Sequence, residues 1–332
     1  MGGKALNKYG VFTERKNTAE FNQIGYELNT RVFFDLSLFS TVVKCYHTKA
    51  DHGDLDLLIK IEGGINVNWV DYIRKTFKPN AVNANGNVYS FDYKNFQVDF
   101  IPIKEDKWEI AQIYYSYDPL GNIMGKTFHK FGLSYGWDGL HYKYRNFRGT
   151  NSENILITTD PRMIFEFGGY DYNRYLKGFD KLEEIFEFAI NSYNFDSEMF
   201  KIENLKSIDK KRNRKRGSYH LFLKHLEDNN IHRKKDFEKD KNEYILPIDF
   251  FFPDAHLKER LKELNEKDKE DKLLSQKFNG DMVITWLPNL MGKELGAAIT
   301  KFRNELGDEY RDFILNSDYN TIYNRFMEIY NE

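Results

Sequence analysis

A single cysteine, Cys45, stands in 332 residues. That excludes an intramolecular disulfide and any zinc site built on cysteines, and it fits a reducing compartment. Long apolar runs are missing as well: YILPIDFFF, residues 244–252, is far too short for a membrane span. The opening MGGKALNKYG has no apolar stretch of the kind a secretory leader carries. A soluble, cytoplasmic protein with no membrane partner is the expectation. An excess of one charge is absent too. Lys and Arg number 49 against 51 Asp and Glu, a net charge of −2, so no global field draws in a polyanion and any nucleic-acid contact must come from local patches. His47, His52, His129 and His141 stand at no metal-ligand spacing.

The apolar content, 41%, is ample for a folded core, and the chain is long enough for two domains. Phe21, Ile24, Leu28 and Val32 recur at helical spacing behind Thr18, a candidate N-cap. Residues 54 to 61 alternate instead, with Leu55, Leu57, Ile59 and Ile61 on one strand face and Asp54 and Asp56 on the other. NWVDYIRKTFK follows as a helix capped by Asn68, NANGN (83–87) carries a turn signal, and NVYSFDY and FQVDFIPI read as strands joined tightly at YKNF. Beyond about residue 150 the periodicity is helical, as in FDKLEEIFEFAINSY (179–193), where Asp180 and Glu183 have capping-box spacing. An α+β fold is expected, with a mixed-sheet domain over residues 1–150 and a mainly helical domain over 151–332. The boundary falls in the turn-rich RNFRGTNSEN, 145–154.

Three carboxylates interrupt apolar strands: Asp54 and Asp56 in HGDLDLLI, and Asp99 in FQVDFIPI. Pairs such as Asp268 with Glu270 lie in highly charged segments and read as solvated. Burying even one unpaired carboxylate costs several kcal/mol, so three on neighbouring strands need a compensating cation. Oxygen donors without histidine or cysteine suit Mg²⁺ or Mn²⁺. Two such ions can activate an attacking hydroxyl and stabilise a departing pyrophosphate.

Gly-Asp-Leu-Asp-Leu-Leu-Ile followed by Val-Asp-Phe resembles the active site of the DNA polymerase beta superfamily of nucleotidyltransferases, over residues 39 to 103. The resemblance implies a palm-like catalytic domain in which Asp54 and Asp56 bind both metals while Asp99 binds the catalytic metal and assists the attacking hydroxyl. The family's phosphate-binding turn uses small residues roughly ten to fifteen positions before the first aspartate, where backbone amides approach the triphosphate. Here Phe39-Ser40 has that distance but no glycine precedes the serine. Ser40, Thr48, Lys49 and Gly53 are the candidate nucleotide-binding residues, with ordinary loop positions as the alternative. Gly2-Gly3 resembles a Gly-Gly turn far upstream. Near the C-terminus, Gly280, Pro288 and Gly292 ahead of Leu295, Ala298, Ile299 and Phe302 are similar to the helical tail of CCA-adding enzymes and bacterial poly(A) polymerases. Those enzymes' Arg-Arg-Asp and Asp-x-x-Arg motifs are not found.

KKRNRKR contributes Lys210, Lys211, Arg212, Arg214, Lys215 and Arg216. It can neutralise RNA phosphates while Tyr219 or His220 stacks on a base, or it can form a solvated face that balances nearby acidic helices. Asp249, in LPIDFFFPD, reads as a turn or capping residue. Together the features lead to a metal-dependent nucleotidyltransferase that uses an NTP (ATP or CTP) and an RNA acceptor such as tRNA. Two rivals stay open: nucleotidylation of a protein or small molecule, and an RNA-binding or assembly protein that keeps the fold without the activity.

Overall fold

The computed structural model describes residues 3–332. The fold is α+β, and the chain divides into two compact units. One runs to Lys143 and resumes from Ile155 to Ala255; the other comprises Tyr144–Asn154 and His256–Glu332. Among the described residues no helix is long and apolar enough to cross a membrane.

In the first unit, β1 (Lys16–Asn17) leads into α1 (Thr18–Leu36). The cap is Asn17 rather than Thr18: its Oδ1 accepts from Glu20 N–H at 3.0 Å, and the Glu20 carboxylate accepts from Asn17 N–H at 3.3 Å. This reciprocal pair satisfies two helix-end donors at once. Then come β2 (Ser40–Val42), β3 (Asp51–His52), β4 (Asp54–Ile61) and α2 (Trp69–Phe77), the last capped by Asn68 as its sequence indicates. β5 (Val82–Asn85), β6 (Val88–Tyr93) and β7 (Phe96–Lys104) complete a five-stranded sheet in the order β2-β4-β7-β6-β5. The sheet is mixed: β4 and β7 are parallel, and the other neighbours are antiparallel. Lys94 and Asn95 both take positive φ, 52° and 58°, which is what a two-residue hairpin turn of matching twist demands.

Strand alternation sorts this sheet into two faces. Leu55, Leu57 and Ile59 of β4 and Val98 and Phe100 of β7 enter a core closed by Phe21, Ile24, Leu28 and Val32 of α1 and by Trp69 and Ile73 of α2. Leu58, Ile101 and Ile103 face the other way and pack on Ala111 of α3 (Trp108–Tyr115). Asp54, Asp56 and Asp99 share that second face, at the end of the strands beyond the Leu58–Ile101 patch.

The chain continues through α4 (Leu120–Lys130), β8 (Leu133–Gly136) and β9 (Gly139–Arg145), then β10 (Asn151–Thr158), α5 (Pro161–Gly168), α6 (Tyr172–Leu176), α7 (Leu182–Ile190), α8 (Ser207–Asn213), α9 (Gly217–Asp228) and α10 (Ile245–Phe251). α7 begins without a side-chain cap. Asp180 is engaged elsewhere, with its carboxylate on His47 and its carbonyl accepting from Thr48. Asp249 lies inside α10, not in a turn.

The second unit shows why a cut at 150/151 is not where the chain divides. Residues 144–154 are not a linker but the tip of a hairpin, closed by Asn146 N–H to Thr150 O at 3.0 Å. Tyr144 donates its hydroxyl to Leu264 O at 3.2 Å, and Arg260 pairs with Glu153 at 2.9 Å, both partners lying in α11 (Leu257–Lys277). α12 (Gly280–Trp286), α13 (Gly292–Leu306), α14 (Tyr310–Asn316) and α15 (Tyr319–Asn331) complete the unit. Phe302, fully buried, stands 5.0 Å from Phe278 and 5.2 Å from Phe326 between ring centroids. Truncating such a ring removes its transfer free energy and leaves a cavity. Phe302→Ala is therefore expected to destabilise this unit by about 3–5 kcal/mol, measured by chemical denaturation; a loss below about 1 kcal/mol would contradict this core.

Candidate active site

The register of the parallel pair sets Asp56 opposite Asp99 and Asp54 opposite Gln97. Three carboxylates from two neighbouring strands therefore meet on one face. A cavity of about 400 Å³ opens over Asp54 and Asp56, within the range of small-molecule sites, and Asp99 stands beside Asp56 outside its lining. Asp54 and Asp56 line it, together with Arg15, Lys49, Gly53, Tyr114, Asp118, Asn122, Arg212 and Arg216.

Burial pushes all three acids upward. Asp56 lies well above the ordinary carboxylate range, first through burial and then through Asp54, Asp99 and Asp118. Asp99 is raised to about 6 by burial and by Asp54, against hydrogen bonds from Ser90 and Gln97 that favour its charge. Asp54 is raised by burial and eased by Lys49 and the Gly3 amide. The nearby Asp92 makes the contrast plain. It is more deeply buried, yet its two oxygens accept from Asn80 Nδ2 at 2.6 Å and Ala81 N–H at 2.9 Å. Asp92 has a protein donor on each oxygen, whereas among the triad Asp56 is raised furthest.

Among the described residues no three acidic, histidine or cysteine side chains are drawn together closely enough to hold a metal ion in this structure. Two triad oxygens are in use: Gly3 N–H donates to Asp54 Oδ2 at 3.2 Å, and Gln97 Nε2 donates to Asp99 Oδ1 at 3.0 Å. The donor set itself, three carboxylates in which Asp54 raises both Asp56 and Asp99, suits a hard divalent cation such as Mg²⁺ or Mn²⁺.

Lys49 reaches the cavity because its loop is pinned on both sides. His47 and Thr48 donate their amides to Phe179 O and Asp180 O at 3.0 and 2.9 Å, and Thr18 Oγ1 donates to Lys49 O. Gly53 also lines the cavity. Thr48 does not; its hydroxyl is spent on Asp180 O at 2.7 Å. Ser40 lies apart from the cavity as well, with its Oγ donating to Asn29 Oδ1 at 2.7 Å. The reason is strand direction. β2 runs antiparallel to β4, pairing Val42 with Leu57 and Ser40 with Ile59, so stepping back from Val42 to Ser40 leads away from Asp54. Gly2 lies outside the described residues, whereas Gly3 contacts Asp54 directly.

Of the basic run, Arg212 and Arg216 line the cavity and Lys210, Lys211, Arg214 and Lys215 do not. Burial and then the neighbouring Arg212 lower the Arg216 guanidinium, so two like cations share one wall while Asp54 and Asp56 line the floor. Tyr219 is unavailable for base stacking: it is fully buried and donates its hydroxyl to Phe200 O at 2.6 Å. His220 is exposed, with its ring at 3.1 Å from Arg214 O. Asp118 is the residue the sequence reading missed. It joins the cavity from the turn between α3 and α4, where Tyr117 N–H donates to Lys44 O at 2.8 Å and Ser218 Oγ donates to Asp118 Oδ2 at 2.8 Å. YYSYDPLG carries no periodic or spacing signal that ties it to strands some sixty positions upstream; only the fold does.

No protein-family profile and no curated protein sequence matches this chain.

His52, next to the site, is buried against Phe21 at 3.8 Å between ring centroids, with its Nδ1 unpaired. Burial, and then Lys49, lower its pKa to about 4. The unfolded chain binds a proton near pH 6.5 that the folded chain refuses, so stability is full above that pH, falls as pH drops through the interval, and levels off below about 4. Between pH 7 and 5 the parent is expected to lose up to about 2 kcal/mol more than His52→Gln, read by denaturant titration at both pH values. Equal losses would contradict this burial of a neutral imidazole.

Proposed function

We propose that the chain is a divalent-metal-dependent nucleotidyltransferase of the cytoplasm. It moves a nucleoside monophosphate from an NTP, ATP or CTP, to the hydroxyl at an RNA 3′ end, a tRNA in particular, and releases pyrophosphate. The observation that carries this reading is the pairing of Asp56 with Asp99 on parallel strands, with Asp54 and Asp56 lining a cavity whose walls hold Lys49, Arg212 and Arg216. Acid floor and cationic wall together suit a substrate that brings its own metal-bound phosphates. The resemblance of GDLDLLI and VDF to the DNA polymerase beta superfamily supports the same reading.

Asp54, Asp56 and Asp99 would hold Mg²⁺ or Mn²⁺, which when bound supplies charge neutralisation at the phosphates and acidifies the attacking hydroxyl. The rest falls to the protein's own groups. Lys49, Arg212 and Arg216 meet the oxygens of the β- and γ-phosphates and orient the triphosphate. Asp99, opposite Asp56 on the neighbouring strand, would assist the attacking hydroxyl by accepting its proton. The acceptor oxygen bonds to the α-phosphorus, the bond from that phosphorus to the bridging oxygen breaks, and pyrophosphate leaves with the electron pair. Tyr114 and Asn122 offer a ring and an amide to the nucleoside. The exposed Lys211, Arg214 and Lys215 provide a basic approach for an RNA strand.

The test is incorporation of α-labelled nucleotide in the presence of Mg²⁺, with tRNA, mixed RNA or protein extract as acceptor. Parent protein is expected to label RNA, and Asp99→Asn is expected to lose roughly three orders of magnitude in kcat with little change in KM. Label in protein would transfer the same chemistry to another acceptor. A parent that labels nothing, or an Asp99→Asn variant at parental rate, would overturn the reading.

A further inference from the structure

We propose that the segment Gly3–Ala5 is a positioning element of the active site, setting Asp54 directly and Asp99 through Gln97. The inference deepens the nucleotidyltransferase reading and rests on it.

Two hydrogen-bond paths run from this segment into the acidic triad. Gly3 N–H donates to Asp54 Oδ2 at 3.2 Å. Ala5 N–H donates to Gln97 Oε1 at 2.9 Å, and Gln97 Nε2 donates to Asp99 Oδ1 at 3.0 Å. The second path has one possible sense. A backbone N–H can only donate and an ionised carboxylate can only accept, so the Gln97 amide must turn its oxygen to Ala5 and its nitrogen to Asp99. Gln97 is 2% exposed and sits opposite Asp54 in the strand register, so the two paths converge on the same rungs of the sheet.

Gly3 is fixed tightly. Its φ is +82°, and a Cβ there would lie 2.2 Å from Gly53 O, a backbone atom that has no side-chain freedom with which to yield. No other residue fits that conformation and that contact together. Thr13 Oγ1 holds Gly3 O at 3.2 Å, and Leu6, 1% exposed, anchors the segment just beyond Ala5. Each carboxylate oxygen has two lone pairs, so one N–H on Asp54 Oδ2 and one on Asp99 Oδ1 orient the acids while leaving capacity for a cation. Outer partners of this kind govern metal affinity in sites whose ligands they hold. The segment thus serves the acids much as a phosphate-loop glycine serves a triphosphate: a backbone amide delivered where a side chain has no room.

The experiment is Mn²⁺ binding to the full chain, followed by the loss of the free-ion electron paramagnetic resonance signal, for the parent, Gly3→Ala, Gln97→Met and Asp56→Asn. Gly3→Ala expels the segment from its seat, and Gln97→Met keeps side-chain length while losing both hydrogen bonds. Thermal melts of each apo variant identify any that fails to fold, and the two positioning variants act at separate points so that either one suffices. Folded Gly3→Ala or Gln97→Met is expected to need roughly 10–100-fold more Mn²⁺ for half-saturation. Parental half-saturation in both would overturn the inference alone. A parent that binds no Mn²⁺, or binds it equally well after Asp56→Asn, would overturn the metal reading and this inference with it.

Discussion

The burial of Asp54, Asp56 and Asp99 side by side on two strands is the constraint around which the candidate site is built. Placing three carboxylates on adjacent strand positions costs several kcal/mol unless charge or protons compensate. In the protein alone the compensation is partial: Lys49 and the Gly3 amide ease Asp54, Ser90 and Gln97 ease Asp99, and Asp56 rises furthest because burial and three other acids act on it. Asp92, on the same sheet, has a protein donor on each of its oxygens. An imbalance kept at one place in the sheet is a feature expected of a functional site.

The sheet's topology creates that place. A parallel neighbour for β4 requires a crossover, and the chain uses α2 with the β5–β6 hairpin to return as β7 beside it. The same crossover buries Leu55, Leu57, Val98 and Phe100 beneath α1 and α2, which fixes the register, since a slip of one residue would exchange acids for aliphatics on both faces. The core therefore specifies the geometry of the candidate site: the residues that stabilise one face align the carboxylates on the other. The cationic wall comes from elements far along the chain, where Arg212 in α8 and Arg216 ahead of α9 reach the cavity beside Asp118.

Much of this was legible in the sequence. Period-two alternation placed Asp54 and Asp56 on one strand face, an Asn before an amphipathic stretch placed α2, and the tight YKNF connection placed the β6–β7 hairpin. These signals are local, and local patterning decides them. What escaped was what depends on tertiary pairing. Ser40 has suitable spacing along the chain, but its antiparallel strand carries it away from Asp54. Thr18 looks like a cap, yet Asn17 and Glu20 close the box one residue earlier. Asp180 has capping-box spacing with Glu183, and a contact with a loop more than a hundred residues earlier claims it instead. The turn-rich 145–154 stretch resembles a linker, but Tyr144 and Glu153 tie it to α11. Tyr219 lies in a basic neighbourhood, though its ring fills a core. Gly2-Gly3 stands out in the sequence as a Gly-Gly pair, but the contact of Gly3 with Asp54, like the place of Asp118, is found only through the fold.

The central claim is that the acidic triad is completed by a divalent cation together with a nucleotide. The most direct measurement is the melting temperature of the parent and of the Asp54→Asn/Asp56→Asn double variant, each alone, with an NTP, and with an NTP plus Mg²⁺. A ligand that binds only the folded state stabilises it by RT ln(1 + [L]/Kd), about 2.7 kcal/mol at a hundredfold excess over Kd. The account predicts that Mg²⁺ with the NTP raises the parent's melting temperature and leaves that of the double variant, itself folded, unmoved. An equal rise in both proteins would contradict it, because the cation would then be bound somewhere other than on these carboxylates.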